Sequence, residues 1–135
     1  MTDDGGMVRQ QLARILASGH FARTRRLGRL LRFVVEQTLA GRTAELKEYS
    51  IAVAVFDKPD DFDPRLDAIV RVQARAMRAR LDAYYAGEGK GDAIVIRCAP
   101  GRYVAELGRA AAPAPPHAQS AFWNARLDAL ASFLQ

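Results

Sequence analysis

The chain has 135 residues, half of them hydrophobic, and a net charge of +5 with a pI near 9.9. That suffices for one domain with tails around a real core, and the basic balance favours a polyanionic partner without bearing on fold. A single cysteine excludes a disulfide framework or a Cys-rich metal site, and two histidines far apart in sequence, His20 and His117, give no motif for a His-based one. No run reaches the roughly 18 apolar residues that a membrane span needs.

Taken in order, MTDDGG is acidic and polar, without the basic-then-apolar pattern of a signal peptide. Residues 1–6 are therefore expected to be disordered and the chain cytoplasmic, with Cys98 a small core residue in a reducing compartment. From Met7, the residues Val8, Leu12, Ile15 and Leu16 form a helical stripe that Ser18-Gly19 ends. Ser18 and His20 lack an acid partner and a nucleophile elbow, so no hydrolase site is expected there.

Thr24 suits the N-cap of a second helix running to about Ala40, with Gly41 as its stop. Leu27, Leu30, Leu31, Val34 and Thr38 make its inner face. Five arginines against one glutamate from Arg23 to Glu36 leave +4 on its outer face, either solvated or in contact with phosphates. Thr43 to Phe56 reads as a third helix, started by Thr43 and Glu45, with its β-branched end also compatible with a short strand. The loop DKPDDFDPRLD, residues 57–67, carries five aspartates against Lys58 and Arg65, or −3. It lacks the Gly and Glu positions of a calcium loop, so its aspartates are expected to cap turns, with Phe62 as a buried anchor.

Asp67 to Tyr85 contains neither Gly nor Pro. Val70, Ala74, Met77 and Leu81 recur at helical spacing, with Tyr84 extending the stripe, and Arg71, Arg75 and Arg78 repeat the pattern on an adjacent face. One face can be buried while the other presents guanidinium forks, which match phosphate and the guanine edge. Asp67 is the expected N-cap. The Gly-rich link AGEGKGD follows, without a phosphate-loop pattern. Ala93–Cys98 and Arg102–Leu107 then read as two strands of a hairpin, with Pro100-Gly101 fitted to the centre of a type II turn. Residues 108–120 form a Pro/Ala-rich linker. Residues 121–135 read as an amphipathic helix with Trp123, Leu127, Leu130 and Leu134 on one seam. An isolated helix of that length is marginal in water, so it must dock, either on its own domain or on a second copy, and pairing with a second copy is the expectation.

The order is three helices, an arginine-striped helix and a hairpin. The fold class is α+β, mostly helical: a winged helix-turn-helix with a C-terminal β-hairpin wing over residues 7–107, then the linker and the separate helix. LKEYSIAVAVF, FDPRLDAIVRV, the M-R-x-R-L run Met77–Leu81 and the PG-x-YV run Pro100–Val104 resemble the winged-helix DNA-binding domain of the OmpR/PhoB type. They resemble most a bacterial subgroup that precedes membrane segments and TPR or TolB-like repeats in larger regulators. The resemblance spans roughly Leu12 to Leu107. It departs where Met77 replaces the usual Leu, where Pro100 replaces a common basic residue, and where helices replace the family's N-terminal sheet.

The resemblance implies sequence-specific double-stranded DNA binding by a transcription regulator. The recognition helix is about 67–85 and the wing about 93–107. Arg71, Arg75 and Arg78 are the expected base and phosphate contacts, Arg65 stands at the groove entrance and Arg102 touches the backbone from the wing. The acidic loop 57–67 points away from DNA, toward a protein such as RNA polymerase. No catalytic pair, metal or cofactor is expected. The second reading is a winged-helix protein–protein interaction module without DNA binding.

Overall fold

The structure, a computed structural model, describes residues 4–110. Four helices, α1 (Asp4–Ala17), α2 (Arg25–Leu39), α3 (Glu48–Phe56) and α4 (Ile69–Ala86), precede two strands, β1 (Ile94–Cys98) and β2 (Ala105–Arg109). The strands pair antiparallel, from Ile94 opposite Arg109 to Cys98 opposite Ala105. The described residues are thus α+β and mostly helical.

α1 begins at Asp4, earlier than the sequence suggests. Val8 is buried, and in an α-helix its N–H bonds the carbonyl four residues back. Burying Val8 in helical form therefore draws residues 4–7 into the helix, despite the entropic cost of Gly5 and Gly6. α2 has the expected ends. The Thr24 hydroxyl accepts from Leu27 N–H, a cap worth about 1 kcal/mol. At the other end Gly41, at φ 76°, donates to the Thr38 carbonyl and Arg42 to that of Gln37. This is the paired-bond ending that glycine favours.

The expected third helix is divided. Thr43–Glu45 make one 3-10 turn, and Leu46 and Lys47 leave helical geometry before α3 starts at Glu48. The break lets Leu46 reach the core, where it is buried. Asp57 ends α3 in the left-handed region, φ 55°, with its N–H and that of Lys58 both on the Ala52 carbonyl. Aspartate tolerates that conformation better than most residues.

The core joins Val8, Leu12 and Ile15 of α1, the Leu27–Val35 face of α2, Ile51 and Val55 of α3, and Val70, Met77 and Leu81 of α4. Ile94, Ile96 and Cys98 alternate inward along β1, as a half-buried strand must. Phe62 is buried under the acidic loop, as expected of an anchor.

Candidate nucleic-acid interface

α4 is buried along Val70, Ala74, Met77, Leu81 and Tyr84. Its N-terminus differs in detail from expectation. Ala68 holds the N-cap position without a side-chain bond, and Asp67, one residue earlier, accepts the Ile69 N–H at 3.0 Å. Asp67 also pairs with Lys58 at 3.0 Å, and the Lys58 bond, helped by the Ile69 N–H, holds its carboxyl below the usual range.

α4 carries four arginines; Arg80 donates to the His20 carbonyl at 2.8 Å, and the three of the predicted row sit in different surroundings. Arg71 donates to Glu48 at 2.7 Å and to the Pro64 carbonyl at 3.1 Å, tying α4 to the start of α3 and to the acidic loop. Arg75 is exposed, with no polar partner among the described residues. Arg78 is half-buried. Its Nε donates to the Cys98 carbonyl at 3.1 Å and its Nη2 to the Arg102 carbonyl at 3.0 Å, while its guanidinium stands 6.0 Å from the centre of the Tyr103 ring. A planar fork suits this double task. Arg78 thus fastens the hairpin to α4.

The hairpin loop contains the expected turn. Arg102 N–H bonds the Ala99 carbonyl, with Gly101 at φ 81°, the geometry of a type II turn with Pro at its second position. The second strand starts at Ala105, three residues later than expected. The Arg102 carbonyl is already taken by Arg78 and the Cys98 thiol, so residues 102–104 lie against Arg78 in the middle of α4 instead of pairing. Ala105 N–H then bonds the Thr38 hydroxyl of α2 at 3.0 Å. Pairing continues through Gly108 and Arg109, so the strand takes in residues assigned to the linker. The Arg102 side chain is exposed.

Arg65 forms a bidentate pair with Asp63 (2.9 and 3.1 Å) and remains 88% exposed on the turn before α4. This pair lowers the Asp63 carboxyl and raises the Arg65 guanidinium. With Arg29 against Asp57 at 3.5 Å, three of the five loop aspartates have cationic partners. Within this loop, Asp60 and Asp61 are exposed and form no ion pair among the described residues.

Sequence reasoning missed three features of this surface. Val72, next to Arg71, is 57% exposed, and Leu66 at the head of α4 is 86% exposed. Both interrupt an otherwise polar face, a signal visible as apolar residues off the buried stripe. Arg97 of β1 pairs with Asp82 at 3.1 Å and lies over the Tyr85 ring. Among the described residues no cluster of His, Cys, Asp or Glu could hold a metal ion, and no helix is long and apolar enough to cross a membrane. Trp123, Leu127, Leu130 and Leu134 lie outside the described residues. Compared with known proteins, the chain matches no family model, no curated protein and no solved structure.

Proposed function

We propose that the chain binds double-stranded DNA sequence-selectively, as a bacterial transcription regulator of winged helix-turn-helix type. One observation carries the reading. α4 buries one face and exposes Arg71, Val72 and Arg75 on the other, beside a hairpin that Arg78 fastens to the same helix. A helix presented in this way fits the major groove, with the hairpin lying over the adjacent backbone. Arg75 reads base edges, Val72 can touch a thymine methyl, and Arg102 meets phosphate from the hairpin loop. Arg71 is aimed by Glu48 and the Pro64 carbonyl, and Arg65 stands at the groove entrance. Arg78 acts by holding the hairpin in place.

The acidic loop belongs to the same reading. Local pairing of Asp57, Asp63 and Asp67 reduces its repulsion of a nearby phosphate backbone. Asp60 and Asp61 remain for a basic protein surface such as that of RNA polymerase. Two chains joined through the Trp123–Leu134 seam would set two reading heads on neighbouring half-sites and raise affinity through effective concentration. Sedimentation of the full chain against one ending at Ala112 tests that pairing: the full chain should run as a dimer and the shortened one as a monomer, and two monomers would remove the pairing.

The test of DNA binding is selection of bound duplexes from a random pool, followed by mobility assays at two salt concentrations. The wild-type chain should enrich a defined site and lose affinity steeply with salt. Arg75→Ala should cost about 1–3 kcal/mol on that site and relax base preference, whereas Arg102→Ala should weaken all sequences alike and lower the salt slope by about one. The exposed Leu66 and Val72 also favour a second reading, a protein-interaction module. That reading takes over if no duplex is retained at either salt concentration.

A further inference from the structure

A second basic surface is built from residues outside α4 and the hairpin. α2 rises about 20 Å from Arg25 to Thr38. Its Thr38 end holds β2, while its Arg25 end lines a groove of about 680 Å³. Arg25, Arg26, Arg29 and Arg32 line this groove, which is closed on its other sides by the ends of α1 and α3. Half-buried Leu16 and Phe56 contribute apolar surface. Arg29 already holds a carboxylate there, Asp57 at 3.5 Å. Arg25, Arg26 and Arg32 are exposed and have no ion pair among the described residues.

The position is electrostatically unusual. The first turn of α2 holds no acidic residue, although the helix dipole places positive charge there and favours acids. Arg25 and Arg26 add cations where the dipole disfavours them. Local rules broken in this way tend to mark function. Arginine also supplies bidentate forks suited to carboxylate and phosphate, on a side chain less strongly hydrated than lysine's.

We propose that this groove is a docking site for an acidic, extended segment of a partner protein, with apolar side chains entering between the arginines. The apolar lining separates this occupant from nucleic acid. A duplex presents phosphates on a convex surface and has nothing to place against Leu16 and Phe56. The chain's own acidic loop fits less well, because its one aromatic, Phe62, is buried at home. The site is independent of the DNA reading, since none of its residues belongs to α4 or the hairpin.

The test uses the full chain and fluorescence anisotropy. The probes are a labelled short peptide alternating Glu with Leu and Phe, a second with Ser in place of the apolar residues, and a duplex DNA fragment. Arg26→Glu/Arg32→Glu should weaken the first peptide about tenfold or more, and the serine peptide should bind the wild type about tenfold more weakly than the first. Arg26→Gln/Arg32→Gln should give a smaller loss in the same direction, and thermal unfolding should show both variants folded. The proposal is overturned if the first peptide does not bind, if the variants bind it undiminished, or if the serine peptide binds equally well. It is also overturned if the variants lose duplex affinity as much as peptide affinity, which would make the groove a nucleic-acid surface.

Discussion

Arg71, Arg75 and Arg78 are equivalent in the sequence pattern but not in what surrounds their guanidinium groups. Arg78 meets two main-chain carbonyls of the hairpin loop that its removal would leave without those donors. Bonds from charged donors contribute about 1.5–3 kcal/mol each when buried, and half-burial brings the pair toward the lower end. Arg78→Ala should therefore cost about 1–2 kcal/mol in urea unfolding and loosen the hairpin. Arg75 touches no polar group among the described residues, so Arg75→Ala should leave stability within about 0.5 kcal/mol while weakening DNA binding. Equal destabilisation by the two substitutions would remove the distinction drawn between a fastening and a reading arginine. Periodicity alone could not draw it, because the carbonyls that claim Arg78 come from residues 20 and 24 positions further on.

Between α4 and β1, the connection is shaped by a close approach rather than by flexibility. Gly89 is buried, and its N–H bonds the Tyr84 carbonyl at 2.7 Å. A Cβ at Gly89 would overlap the Tyr84 ring, which is itself buried and cannot swing into solvent. Gly89→Ala should cost about 1–3 kcal/mol, as overpacking does, and lower the melting temperature, whereas Gly91→Ala meets open space and should be tolerated. From sequence this segment reads only as a Gly-rich link. The helices were legible because their signals are local: Thr24 and Gly41 bound α2, and the Val70–Leu81 stripe marks α4. The type II turn at Pro100-Gly101 was legible for the same reason. What escaped was set by partners far along the chain. Leu46 leaves the helical path to reach the core, Arg78 delays β2, and Thr38 receives its first N–H. Of the candidate site, the arginine row was visible, but its division into paired and unpaired members was not.

Three parts of the molecule converge on Asp92, whose side chain is 7% exposed. Gln11 donates to it at 2.8 Å and Arg14 at 3.0 Å from α1, and the Tyr84 hydroxyl donates to it from α4. Two residues later β1 begins, and Tyr85 bridges that strand, accepting from Ile96 N–H and donating to the Ile94 carbonyl. Asp92 therefore locks α1, α4 and the hairpin to one another. Burial alone would push its carboxyl up, but the bonds from Tyr84 and Gln11, with the charge of Arg14, outweigh burial and hold it below the usual carboxylate value. Burial and the same carboxylate push the Tyr84 hydroxyl up to about 12. The sign for pH follows from the lowered value. An unfolded aspartate binds its proton near pH 4, whereas folded Asp92 resists until a lower pH. Its contribution to stability is therefore complete above about pH 4 and is lost as the pH falls through the folded value. Asp92→Asn should melt at lower temperature than wild type at pH 7, and the gap between the two should narrow as the pH falls from about 4 toward 2. Comparing the two proteins cancels the half-buried carboxylates of the acidic loop, Asp63 and Asp67, whose values are also lowered and which titrate in both. A gap that stays constant from pH 7 down to 2 would mean that the charge of Asp92 does not hold these elements together, and would leave its neutral hydrogen bonds as the only link.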